Sequence, residues 1–179
     1  MMILNLEEQK LWERCAGFHG HTCGGLAIGF QAARRAAALL GLTFSKDEEV
    51  VCVAENDACG IDAIQAVLGC SAGKGNLLFR MRGKQAFSFF NRKTGQSVRL
   101  VLRPVPEMPR GERRDWMLSQ DPAALFDEKP VDFELPEPAR LFESHPCEVC
   151  GEMTAEPYLR LEQGRRLCLS CAHLYSRFF

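Results

Sequence analysis

Phe18-His19-Gly20-His21-Thr22-Cys23-Gly24-Gly25 places two imidazoles and a thiol within five residues, among glycines. Glycine lets the backbone turn tightly and brings a ligand close to the main chain. Leu26 to Leu40 then reads as an alanine-rich helix stopped by Gly41. Cys23 therefore stands just before a helix N-terminus, where the dipole and free N–H groups favour a thiolate. A thiolate is both a metal ligand and a nucleophile. The plain alternative is a small buried hydrophobe, but a fold has no need of His-x-His-x-Cys on a glycine turn.

Two more thiols lie on turns. Cys59 opens a helix in Glu55-Asn56-Asp57-Ala58-Cys59-Gly60-Ile61-Asp62, and Cys70 sits in the glycine loop Gly69 to Asn76. With His21 and Cys23 they are candidates for one mixed nitrogen–sulfur site for zinc or another thiophilic metal, with His19 a further ligand or the partner that orients His21. Cys15 and Cys52 fall on apolar faces and read as core. Gly69-x-Ser71-x-Gly73 matches the nucleophile-elbow string but follows a helix rather than a strand, and Gly73-Lys74-Gly75 lacks the rest of a phosphate loop. Neither carries chemistry.

The strongest spacing is Cys147-x-x-Cys150 and Cys168-x-x-Cys171 with 17 residues between the pairs. Four thiolates so spaced suit tetrahedral structural zinc. Gly151 permits a knuckle turn, Tyr158–Glu162 and Arg165–Leu167 flank Gln163-Gly164 as a hairpin, and Ser170–Phe179 is expected to be a helix. Knuckle, hairpin and helix make a treble clef. Residues 144–179 carry four basic and four acidic side chains. Four thiolates with one Zn²⁺ then leave the module anionic, a poor phosphate reader. Its helix, with Leu174, Tyr175, Phe178 and Phe179, points to protein contact instead of nucleic acid.

The elements that must position these residues follow from patterning. The chain has 179 residues, 46% of them hydrophobic, enough for a real core and a small second module. No apolar run is long enough to span a bilayer. The first residues lack the basic stretch and cleavage site of a signal peptide. With nine cysteines, an odd number, this points to reduced thiols, metal and the cytoplasm.

Every proline lies beyond residue 103. Before it, helices are expected at Leu6–Cys15, Leu26–Leu40 and Ile61–Leu68, and a buried strand at Val50–Ala54. Three strands at Leu77–Arg82, Ala86–Phe90 and Val98–Leu102 read as an antiparallel meander. The expected fold is α+β, helices packed on a mainly antiparallel sheet, plus a small C-terminal treble-clef zinc finger. The expected division is a core over 1–103, a proline-rich acidic connector over 104–143 with short helices at Arg113–Leu118 and Pro122–Phe126, and the finger over 144–179.

Charge is uneven. Residues 74–114 carry 11 basic and 2 acidic side chains, residues 115–143 carry 2 and 8. The basic block suits an anionic substrate, a nucleic acid or an acidic partner. The plainer reading is that it decorates the solvent faces of strands and pairs with the acidic segment after it.

Phe18 to Gly25, Glu55 to Ala63 and Gly69 to Lys74 together resemble the FmdE family, named for the E subunit of formylmethanofuran dehydrogenase. Its signature runs Phe-His-Gly-His-x-Cys-Pro-Gly, Glu-x-Asp-x-Cys-x-x-Asp-Ala and Gly-Cys-Thr-x-Gly-Lys. Gly24 here replaces the usual proline and Ser71 the usual threonine. The resemblance implies an α+β core, a homodimer, an auxiliary zinc finger and a His/Cys site mapping to His21, Cys23, Cys59 and Cys70. It also implies an accessory role beside the partner subunits of a molybdenum or tungsten oxidoreductase, or in one-carbon metabolism. The rival expectation is an enzyme with Cys23 or Cys59 as nucleophile or ligand of a catalytic zinc, Asp57 or Asp62 as base, and an anionic substrate. A third is a metal or redox sensor acting through the finger.

Overall fold

The computed structural model describes residues 4–173, Tyr175 and Arg177. The chain forms two compact units, Met1–Ala139 and Arg140–Phe179.

In the first unit, α1 (Leu6–His19) starts at a capping box between Asn5 and Glu8 and ends on left-handed Gly20, so it carries His19 in its last turn. It runs four residues beyond the expected Cys15. α2 (Gly24–Leu40) is capped by Cys23 itself, whose sulfur accepts the Leu26 N–H at 3.3 Å. β1 (Val50–Ala54) is buried along its whole length, as its β-branched run implies. α3 (Gly60–Leu68) follows after a five-residue loop, with Cys59 at its N-cap position.

The sheet departs from the expected meander. β2 (Leu77–Phe79), β3 (Ala86–Asn91), β4 (Ser97–Leu102) and β5 (Phe126–Lys129) assemble with β1 in the order β2-β1-β3-β4-β5. β2 pairs with β1 in parallel, and β1 enters between β2 and β3. Alternation along 77–82 located a strand, which ends at Phe79 rather than Arg82, but carried no information about its neighbour. The β3–β4 hairpin stands as expected, and the other pairings are antiparallel.

The stretch read as a connector contributes to this unit. α4 (Arg110–Ser119) buries Met117, α5 (Pro122–Leu125) buries Leu125, and β5 extends the sheet beside β4. Buried Gln31 on α2 donates to the carbonyls of Met117 and Gln120 at 2.7 and 3.1 Å, which fastens the end of α4. The sparse apolar residues of 104–129 reach a core whose other side is already built, so no strong periodicity was needed to recruit them.

One side of the sheet packs against the helices through Cys52, Phe87, Phe89 and Leu100, with Leu26, Phe30 and Ile64 opposite. On its other side, Val51, Val53 and Phe90 gather Leu78, Val131, Phe133 and Leu135.

The second unit is thin. β6 (Ser144–Pro146) pairs with β7 (Met153–Ala155) around the knuckle, and β8 (Leu159–Glu162) pairs with β9 (Arg165–Cys168) across Gln163-Gly164. Gln163 and Gly164 both have positive φ, 51° and 79°, the two-residue turn that matches strand twist. The expected helix from Ser170 does not form over Ser170–His173. There the chain makes a turn, closed by the N–H groups of Cys171 and Ala172 on the Cys168 carbonyl. Leu174, Ser176, Phe178 and Phe179 lie outside the described residues, so that end of the expected helix has no structural account.

Candidate metal centres

His19, Cys23 and Cys59 converge, with one ring nitrogen and the two sulfurs all within 4.8 Å of one another. Three helix ends deliver them: the last turn of α1, the N-cap of α2 and the N-cap of α3. The approach of α2 and α3 depends on absent side chains. A Cβ on Gly29 would stand 1.9 Å from the Gly60 carbonyl oxygen, and one on Gly25 would stand 3.1 Å from the Cys59 Cβ. Glycine at these contacts lets the two N-caps meet.

His19 Nε2 lies 3.9 Å from Cys23 Sγ, and its Nδ1 lies 2.7 Å from Asp62 Oδ2. The carboxylate thus holds the ring by the nitrogen that faces away from the thiols, the arrangement that fixes a ligating histidine's tautomer. Gln65 Nε2 donates to the other Asp62 oxygen at 3.2 Å. Burial, then the neighbouring Cys23 sulfur, raises the Cys59 thiol above its ordinary pKa. Both cysteines and His19 are half-buried, so the cluster keeps a side open.

Two sequence expectations change here. His21 is not a member of the cluster; it is exposed, and its ring stacks on that of His19 at 4.4 Å between centroids. His19, expected as a further ligand or a partner, takes the place in the cluster because α1 continues through it and turns it toward Cys23. Cys70 is not brought to the site either. It is fully buried, its sulfur donates to the Val50 carbonyl at 3.7 Å, and burial pushes its thiol up to about 12. A thiol held protonated in the core is a poor ligand. Its loop is tied down by buried Asn76, which accepts from the Ser71 N–H and donates to the Asp47 and Val50 carbonyls. Cys15 and Cys52 are buried, and burial raises both thiols, Cys15 to about 11.

Asp62 is engaged by His19 and Gln65 rather than free to act as a base, whereas Asp57 is exposed and outside the cluster. The local signal for His19 is its four-residue separation from Cys23; the approach of Cys59 and Asp62 to the end of α1 is set by tertiary packing.

In the second unit Cys147, Cys150, Cys168 and Cys171 gather within the same 4.8 Å limit. Backbone N–H groups of the knuckle and of Cys168 lower the Cys147 thiol to about 6, while neighbouring sulfur raises Cys171 to about 12. Four sulfurs that share charge in this way suit a divalent, thiophilic ion.

Residues 18–130 match the family model described as FmdE, molybdenum formylmethanofuran dehydrogenase operon, and residues 140–177 match the prokaryotic dksA/traR C4-type zinc finger. A "Probable S-adenosyl-L-methionine-binding protein" of Archaeoglobus fulgidus is 27% identical over 199 aligned positions, covering 93% of this chain and 53% of that protein. The chain therefore spans about half the length of that curated relative. A crystal structure of a tungsten formylmethanofuran dehydrogenase FmdE-like protein from Syntrophus aciditrophicus superposes with a TM-score of 0.70 at 24% identity, covering 96% of each chain. That likeness is one of fold.

Proposed function

The chain belongs to the FmdE family, and from that premise we propose a metal-binding accessory protein, cytoplasmic and homodimeric, that serves a molybdenum or tungsten oxidoreductase or related one-carbon metabolism. In this reading His19, Cys23 and Cys59 hold zinc or another thiophilic metal, and the four finger cysteines hold zinc. The observation that carries the reading is the convergence of those three donors with Asp62 behind His19. The donor set fits the group: one imidazole with a fixed tautomer and two thiols at helix N-termini, where the dipole favours a metal-bound thiolate. Nine unpaired cysteines favour a reducing compartment. Among the described residues no helix is long and apolar enough to cross a membrane.

Metal content tests this. Protein purified without added metal should contain two equivalents per chain. Cys23→Ala should lower the count by one while the finger's zinc remains, and Cys70→Ala should keep both. Full retention in Cys23→Ala would sink the core site. Affinity purification from native extract should enrich molybdenum or tungsten oxidoreductase subunits, and their absence would remove the accessory role.

One observation favours a second reading, a thiolate- or zinc-dependent enzyme acting on a small anion. The cluster has three protein donors, one fewer than a closed tetrahedral site, and a metal so held would offer a Lewis-acid position to a substrate or water. Cys23 and Cys59 would then be ligands rather than nucleophiles, and Asp62 would position His19.

A further inference from the structure

The side of the sheet turned away from the helices holds a cavity of about 410 Å³, the size of a small-molecule site. One row of paired residues crosses four strands beneath it: Val53 on β1, Ser88 on β3, Arg99 on β4 and Lys129 on β5. Arg80, Arg82 and Lys84 add three cations from the segment after β2, and Phe133 and Pro130 supply an apolar wall. Five cations thus face two carboxylates, Glu55 and Asp132.

Both carboxylates are engaged. Arg99 grips Glu55 with two N–H groups at 2.6 and 3.0 Å, and Arg80 stands 4.0 Å from Asp132 while lying over the Phe133 ring. Arg82, Lys84 and Lys129 are exposed, and among the described residues their side chains make no ion pair. This is where the expectation that the basic block pairs with the following acidic segment stops short. Arg103–Asp127, Arg114–Asp115 and Arg80–Asp132 fulfil it, and Arg82 and Lys84 do not.

A second observation points to a ligand. Ser88 is 1% exposed and lines this cavity, and its hydroxyl has no hydrogen-bond partner among the described residues. Buried hydroxyls are ordinarily satisfied, and one left unpaired in a sheet costs free energy with no structural return. A serine donor beneath a ring of unpaired cations is the composition of an oxyanion site.

We propose that this cleft binds a small multivalent anion, a phosphate ester or a polycarboxylate, with Ser88 donating from the floor and Arg82, Lys84 and Lys129 closing on its charge. The apolar wall receives the uncharged part of such a ligand. A nucleic acid is disfavoured, because Asp132 lines the cleft and Asp127 stands beside Lys129 on the same face of β5. The site lies across the sheet from His19, Cys23 and Cys59 and rests on neither of the metal readings.

Full-length protein should be titrated calorimetrically with inorganic pyrophosphate and with citrate, at low and at physiological salt. The expected result is saturable one-to-one binding of at least one probe, weakened by salt because the cations are exposed. Arg82→Ala/Lys84→Ala should lose that binding with unchanged metal content and melting temperature. Ser88→Ala, which removes only the unpaired hydroxyl, should weaken it by about tenfold, the value of one hydrogen bond to a charged group. A pyrophosphate response without a citrate response identifies the phosphate class, and the converse the polycarboxylate class. No saturable binding of either probe, or binding unchanged in the double variant, would overturn the proposal. So would tight binding of a DNA oligonucleotide with no response to the small anions.

Discussion

Both units gather cysteines, but they are held together in different ways. Residues 4–139 enclose Phe30, Phe87, Phe89, Phe126, Leu26 and Ile64, all essentially removed from water, and the His19–Cys23–Cys59 cluster sits at the margin of that core. In residues 140–177, among the described residues, only Cys147 and Leu167 are buried hydrophobics. The first unit positions its thiols with helices that would stand without a metal. The second has too little apolar burial for that, so its four thiols and their ion must supply the folding free energy. On the proposed reading a metal would thus be an added guest in one region and a structural element in the other.

The largest expected effect breaks the second unit. Cys147→Ser or Cys168→Ser should release the finger's metal and unfold residues 145–173, read as loss of hydrogen-exchange protection there alone. The cooperative melting of residues 4–139 should persist. Loss of both transitions together would show that the two regions are not separate in stability.

Gly29→Ala tests whether the α2–α3 contact positions the core cluster. Alanine ordinarily favours a helix by about 1 kcal/mol over glycine. Here its Cβ would fall 1.9 Å from the Gly60 carbonyl oxygen. Net destabilisation of about 1–3 kcal/mol in chemical denaturation is expected, as for an overpacked core. Metal should also bind more weakly at the core site, with the finger unaffected.

Asp62→Asn sharpens the comparison without touching a ligand. Removing the carboxylate that holds His19 should weaken metal binding at the core site by about 10–100-fold, as at other histidine sites with such a partner. Competition with a chelator reads the change. An unaltered affinity would mean that His19 is oriented by packing alone.

Glu55 gives a pH dependence confined to the first unit. Hydrogen bonds from Arg99 hold its carboxyl below the ordinary value against the opposing effect of burial. Its contribution to stability is therefore full above the unfolded value of about 4.3 and is lost as pH falls through the folded one. Glu55→Gln should flatten the acid limb of the first transition and leave the finger's unchanged. Smallest of all, Arg103→Ala, at the exposed Arg103–Asp127 pair, should shift stability by less than about 0.5 kcal/mol.

Much of this was legible in the chain. Glycine stops, caps and apolar periodicity located α1, α2, α3 and β1, and the two Cys-x-x-Cys pairs located the finger, because these signals act over a few residues. Cys23 and Cys59 were legible for the same reason, each standing at a helix start. The sequence by itself determined the types of α1 to α3 and β1 to β4, the four cysteines of the finger and two of the three residues of the core cluster. Tertiary structure decided the rest. It placed β1 between β2 and β3, drew 104–139 into the first unit, turned Cys70 into the core and gave the third position to His19 instead of His21. Those choices depend on which surfaces meet across the fold, through contacts such as Gly29 on Gly60 and Asp62 on His19. Local spacing fixes what a residue can do, and long-range packing selects which residues meet to do it.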